Sequence, residues 1–150
     1  MRILEYTGAD LIVLGLEARD KEHLLQQMVE LLVKAGRVTS SQVILGELLK
    51  REHVMSTGIG GGIALPHART DETSDLVLVF ARTGHPLDFQ ALDSKPVDLV
   101  CMLIGPKGPD NVLVKLLARV SRLLQDESFK QGLREAATPA DVLAVFGGEE

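Results

Sequence analysis

A layered α/β domain is the fold class that the sequence predicts, and three observations predict it. Apolar residues recur at helical spacing in the first third of the chain, short β-branched-rich apolar runs occupy the middle, and two further helical patterns close it. The 150 residues are 45% hydrophobic and 25% charged, within the range of one globular domain with a sizeable core, so a single domain over 1–150 is expected.

In chain order, Leu11 to Leu14 is a candidate strand. Asp20 can cap a helix whose apolar positions Leu24, Leu25, Met28, Val29, Leu31 and Leu32 repeat with helical period, and Gly36 supplies a stop. Thr39 followed by Gln42 reads as a capping box for a second helix, in which Val43, Ile44, Leu45, Leu48 and Leu49 continue an apolar face and which ends near Arg51. Leu76 to Phe80 and Val97 to Ile104 read as buried strands, being short, rich in β-branched residues and bounded by turn formers. Asp110 begins a long amphipathic segment carrying Val112, Leu113, Leu116, Leu117, Val120, Leu123 and Leu124. Thr138-Pro139-Ala140-Asp141 opens a last helix that runs through Phe146. No internal repeat, low-complexity tract or linker breaks the pattern.

The formal net charge of −5 and pI near 5.4 argue against a nucleic-acid or anionic-membrane binder, which usually shows a basic surface excess, and leave soluble protein partners open. The first ten residues carry Glu5 and Asp10, and Leu11 to Leu14 is far too short for a signal-peptide core or a membrane span. A cytoplasmic chain without membrane insertion is expected. The single cysteine, Cys101, sits inside the apolar run Val97 to Ile104 and reads as a reduced, buried thiol.

The segment that carries chemistry is Ser56-Thr57-Gly58-Ile59-Gly60-Gly61-Gly62-Ile63-Ala64-Leu65-Pro66-His67-Ala68. Glycines let a backbone approach a ligand and turn successive N–H groups toward it, which suits an anion such as a phosphoryl group. Ser56 and Thr57 add hydroxyl donors, so Ser56, Thr57 and Gly58 are candidate phosphate-binding residues. Pro66 fixes its own φ and holds Leu65 extended, presenting the His67 imidazole from a stiff platform. A dinucleotide fingerprint starting at Gly58 and Gly60 would need glycine where Ile63 stands, and no G-x-x-x-x-G-K occurs. Neither side of His67 carries metal-ligand spacing, and no G-x-S-x-G elbow is present. No cofactor is expected.

Arg51-Glu52, then Ser-Thr-Gly-Ile-Gly, then Gly-Ile-Ala-Leu-Pro-His-Ala together resemble the signature of the fructose/mannitol/nitrogen-regulatory IIA family of the bacterial sugar phosphotransferase system. The likeness continues through Pro86-Leu87-Asp88-Phe89, Ala91 to Val100 and Leu116 to Leu124, covering nearly the whole chain. The resemblance implies a mixed β-sheet flanked by helices on both faces. It also implies that His67 takes a phosphoryl group from the phosphocarrier HPr or a paralogue and passes it to a IIB domain, without binding the sugar itself. That role is chemically sound, because neutral imidazole is a competent nucleophile near pH 7. Arg51 is the planar, always-charged group suited to the phosphoryl oxygens, on which negative charge spreads during transfer.

In many relatives a second histidine opens the helix after the last strand; counting back without a gap from Leu116-Leu117-Ala118 places Leu113 there. Asn111 lies two residues earlier. A hydrogen bond to a charged group is worth roughly 1.5–3 kcal/mol, so its loss is expected to weaken phosphorylation by roughly ten- to a hundredfold. Two readings follow. One is a working phosphocarrier, of sugar-permease or nitrogen-regulatory type, and the other is a non-catalytic module that keeps the surface for binding a regulatory target protein. Ile59, Ile63 and Leu65 serve either as an apolar docking collar or as core. His23, His53 and His85 read as structural or solvated.

Overall fold

The computed structural model describes residues 2–148. Two 3-10 turns, Ile3–Glu5 and Ala9–Leu11, lead into strand β1, Ile12–Leu16. Helix α1, Lys21–Lys34, starts where expected: the Asp20 side chain accepts from the His23 N–H at 2.8 Å. It stops at Gly36, whose φ of 73° turns the chain so that the Arg37 N–H returns to the Leu32 carbonyl at 2.9 Å. Helix α2, Ser41–Val54, begins one residue later than the capping-box reading and runs three residues past Arg51. Its N-cap is Ser40, because the Thr39 hydroxyl and the Ser40 N–H are both drawn to Glu72, at 3.0 and 2.8 Å.

The glycine-rich segment forms three short strands, β2 (Gly58–Gly60), β3 (Ile63–Ala64) and β4 (His67–Thr70). Strand β5, Val77–Leu87, extends well beyond the apolar run that marked it, and β6, Val97–Pro106, follows. Helices α3 (Val112–Leu123), α4 (Glu127–Glu135) and α5 (Pro139–Gly147) complete the chain. Thr138 and Asp141 make the reciprocal capping box that opens α5. The sequence patterns did not mark α4. Its last carbonyls, from Leu133, Arg134 and Ala136, accept from Arg82 on β5 at 2.7–3.0 Å.

The six-stranded sheet has the order β1-β5-β6-β3-β2, with β4 beside β6 as well. It is mixed: β1 runs parallel to β5, β5 antiparallel to β6, and β3 and β4 parallel to β6. Alternation along β5 assigns the layers. Val77, Val79 and Ala81 face the core under α1 and α2, whereas Leu78 and Phe80 face the core under α3, α4 and α5. Helices thus cover both faces, as the resemblance implied. On the second face Phe146 packs edge-on against Phe80, with ring centroids 5.9 Å apart. Among the described residues no helix is long and apolar enough to cross a membrane.

Cys101 lies in the middle of β6, fully buried in the core under α3 to α5, and burial pushes its thiol up to about 12. Native protein is therefore expected to react with a disulfide reagent roughly a hundredfold or more slowly than unfolded protein. Thiol titration with and without denaturant checks this, and rapid labelling of the native protein would contradict the packing of the central strand.

Candidate functional site

Strand β6 carries a parallel partner laid down in two pieces. Ile63 and Ala64 pair with Leu99 and Val100, and His67 to Thr70 pair with Leu103 to Pro106. Between them stand Leu65 and Pro66. Pro66 has no N–H to continue a ladder, but its carbonyl accepts from the Leu103 N–H at 3.0 Å. The Leu65 N–H turns away to the Thr57 carbonyl, also at 3.0 Å. That leaves the Leu65 carbonyl for the imidazole of His67, whose Nδ1 lies 2.9 Å from it. A carbonyl oxygen only accepts, so Nδ1 carries the proton and Nε2 keeps the lone pair. Burial holds the His67 pKa below the ordinary 6.5, against the Leu65 carbonyl, which raises it; Arg51 lowers it further and Glu52 raises it. The ring is thus kept as the neutral nucleophile.

His67 lines a cleft of about 580 Å³ at the edge of the sheet, between the C-terminal half of α2 and the N-terminal half of α3. Lys50, Arg51, Arg69 and Lys107 contribute positive charge to its walls, and Glu47 is the carboxylate among them. In a chain of net charge −5, such a local reversal of sign marks an anion-attracting surface. Arg51 is oriented by donating to the Met55 carbonyl at 2.8 Å. Arg69 donates to the carbonyls of Pro106 and Asp110, at 3.2 and 3.4 Å, and so ties the loop after β6 to β4.

The structure brings His67, Arg51 and Leu113 to one cleft. Leu113, in the first turn of α3, is buried and sits with Val114 and Leu117 on the apolar wall. Ser56, Thr57 and Gly58 do not line it. The Ser56 hydroxyl donates to the Phe89 carbonyl at 2.6 Å and accepts from the Gly58 N–H at 3.1 Å. The Thr57 N–H and hydroxyl both donate to the carboxylate of Glu52. Gly58 is needed for close approach, since a Cβ there would stand 2.8 Å from the Cβ of Ala91. The donors expected to meet a phosphate are thus engaged with Phe89, Glu52 and one another.

One further expectation is corrected, and one open alternative is decided. Gly60, Gly61 and Gly62, with φ of 98°, 67° and 82°, form the turn between β2 and β3 rather than a cradle at His67. Their turn lies beside Leu99, four residues along β6 from the partner of His67. Ile63 and Leu65 are core and Ile59 packs against it: Ile59 in β2 and Ile63 in β3 stand in the sheet, and Leu65, two residues on from Ile63, turns to the same side. The exposed apolar residues at the cleft are instead Val54 and Val114, with Met55 beside Val54. Their helical patterns show them as off-face apolar positions, the one signal that could have found them. Asn111 and His53 are exposed outside the cleft lining, and His85 pairs with Glu17 on the surface.

A family model described as the phosphoenolpyruvate-dependent sugar phosphotransferase system, EIIA 2, matches residues 5–147. The chain belongs to this family. It is 38% identical over 141 residues to the fructose-specific EIIA component of Haloferax volcanii, covering 92% of each. It is 34% identical over 146 residues to the fructose-specific EIIABC component of Bacillus subtilis, covering 97% of this chain but only 23% of that relative's length. Among solved structures, the nitrogen regulatory protein IIA-Ntr from Neisseria meningitidis matches it with a TM-score of 0.89 at 28% identity, over 95% of this chain and 97% of that one. The complex of enzyme IIAMTL and phosphorylated enzyme IIBMTL from Escherichia coli contains a chain that matches with a TM-score of 0.77 at 26% identity, over 94% and 96%.

The charge state of His67 in this IIA chain is open to direct measurement. The ring is expected to titrate below 6.5 and to show a protonated Nδ1 and a bare Nε2 at neutral pH, read by ring 15N shifts. Because the folded value is depressed, the folded state binds fewer protons than the unfolded one. His67 therefore contributes stability above 6.5 that is lost as pH falls through its folded value. A midpoint at or above 6.5 would contradict the role of burial.

Proposed function

We propose that residues 1–150 work as one cytoplasmic IIA domain that carries a phosphoryl group on Nε2 of His67. The donor is a phosphorylated HPr-like carrier protein, and the acceptor is a IIB domain or, in a nitrogen-regulatory pathway, a target protein that reads the phosphorylation state. The Nε2 lone pair attacks phosphorus, the bond from phosphorus to the donor's leaving atom breaks, and the Nδ1 proton stays on the ring against the Leu65 carbonyl. Transfer onward reverses these bonds on the acceptor. The observation that carries this reading is the Nδ1 to Leu65 contact of 2.9 Å, which selects Nε2 as the nucleophile beside a cleft walled by four cations.

Arg51 and the lysines at the cleft supply charge for the equatorial oxygens of the transferring group, and no cofactor enters the step. Support for the acceptor comes from the match to the IIAMTL structure determined with phosphorylated IIBMTL, and for the regulatory route from the match to IIA-Ntr. The exposed Val54 and Val114 give a protein partner an apolar landing beside the charged floor. Leu113 favours a second reading, a regulatory module that binds its partner with impaired transfer, since its buried side chain offers no hydrogen bond to a phosphoryl group.

Incubation with a radiolabelled, phosphorylated HPr-like carrier separates the two. Label is expected on the wild type and none on His67→Ala. Arg51→Gln is expected to slow labelling by about tenfold or more, and Leu113→His to speed it by roughly ten- to a hundredfold. Wild type that takes no label from any cognate carrier yet binds its partner would sink the carrier reading in favour of the regulatory one.

A further inference from the structure

Glu52 is buried although it stands in the last turns of a surface helix, next to the cleft residue Arg51. Its carboxylate is fully engaged. It accepts from Lys21 Nζ at 3.0 Å and from both the N–H and the hydroxyl of Thr57. Lys21 is itself held over the ring of Phe89, 4.7 Å from its centroid. A buried carboxylate so placed costs desolvation that its partners must offset. Its effect continues through Thr57: the Thr57 carbonyl accepts from the Leu65 N–H at 3.0 Å, and the Leu65 carbonyl accepts from His67 Nδ1 at 2.9 Å. Hydrogen bonds relayed through the backbones of Thr57 and Leu65 thus join α1 and α2 to the imidazole.

We infer that Glu52, braced by Lys21 and acting through Thr57 and the Leu65 peptide, is a positioning residue that fixes the tautomer and aim of His67 for phosphoryl transfer; this rests on the proposed phosphocarrier role. Leu65 is held on both sides of its Cα, its N–H by the Thr57 carbonyl and its C=O, in the next peptide unit, by the ring. Loosening Thr57 frees the Leu65 backbone to rotate, and the carbonyl that meets Nδ1 moves with it. Arg51 and Glu52, adjacent in sequence, then divide the work: Arg51 faces the cleft and the incoming charge, whereas Glu52 faces inward and holds the platform.

The test compares wild type, Thr57→Val, Thr57→Ser and Glu52→Gln. Two readouts are taken on folded protein: the ring 15N pattern of His67, and kcat and KM for labelling from a phosphorylated HPr-like carrier. Thr57→Val and Glu52→Gln are expected to lower kcat about tenfold with KM for the carrier unchanged, and to blur the Nδ1-protonated pattern toward a mixture of tautomers. Thr57→Ser restores both. Folded Thr57→Val with wild-type kcat and ring pattern overturns the inference, whatever the stability of Glu52→Gln. A wild type that takes no label but whose ring pattern is lost in Thr57→Val defeats the carrier role and leaves the positioning line standing. A wild type that labels normally alongside an indifferent Thr57→Val defeats the positioning line alone.

Discussion

Leu65 and Pro66 join the two halves of the chain that runs beside β6, which pair at Ile63–Ala64 and at His67–Thr70. The carbonyls of Gly62 and Pro66 accept from Leu99 and Leu103 of β6, so Leu65 turns its own N–H and carbonyl away from that strand. The proline supplies no donor of its own and holds its predecessor extended. The Leu65 backbone then meets Thr57 through its N–H and the histidine ring through its carbonyl. Because β6 is pinned on its far edge by the long antiparallel β5 and buried on both faces, the break is held in a rigid frame. The loop glycines upstream serve the same end. They close a tight turn that brings Thr57 back against Leu65.

His67 sits in a field whose parts pull in opposite directions. Burial and Arg51 favour the neutral ring, whereas the Leu65 carbonyl and Glu52 favour the protonated one, and burial is the largest influence. Under the proposed function this ordering is the useful one. The free ring would have to keep its Nε2 lone pair, so the net push has to be toward neutrality. With a phosphoryl group attached, positive charge would build on the ring, and the same Leu65 carbonyl and Glu52 carboxylate would oppose its loss as a proton from Nδ1. Arg51, unfavourable to a protonated ring, would become favourable to the phosphoryl oxygens.

How much of this could be read from the sequence depends on how local each cause is. The α1 cap at Asp20, the α5 start at Thr138 and the two central strands follow from neighbouring residues; both helix starts stand where the pattern put them, and both strands contain their apolar runs almost entirely while β5 runs on to Leu87. Helix α4 has few apolar residues, and its end is satisfied by Arg82, more than fifty positions away, so no local signal marked it. The start of α2 moved to Ser40 because Glu72 competes for Thr39. That His67 and Arg51 line one cleft agrees with the spacing the family resemblance gave them, yet the hydroxyls of Ser56 and Thr57 looked free only because Phe89 and Glu52 were not yet in place. Glu52 itself was silent. A carboxylate among Lys50, Arg51 and His53 reads as one more solvated charge until burial is known.

Leu113 changes which groups can do the electrostatic work. With Val114 and Leu117 on α3, and Val54 on α2, it makes much of the cleft lining apolar beside the cations. Such a wall supplies no donor, but it excludes water, and a charge pair between Arg51 and a phosphoryl oxygen is then less screened than it would be in an open, polar site. That gain depends on a partner covering the cleft, because the exposed Val54 and Val114 cannot dry it alone. Under the proposed function, stabilisation of the transferring group is therefore coupled to docking. In the free chain the phosphoryl group would face solvent with Arg51 partly screened, and in the complex the same side chains would meet it in a drier environment. On that reading, an apolar residue at this position trades a fixed local donor for dependence on the partner, so phosphorylation would respond to what is bound.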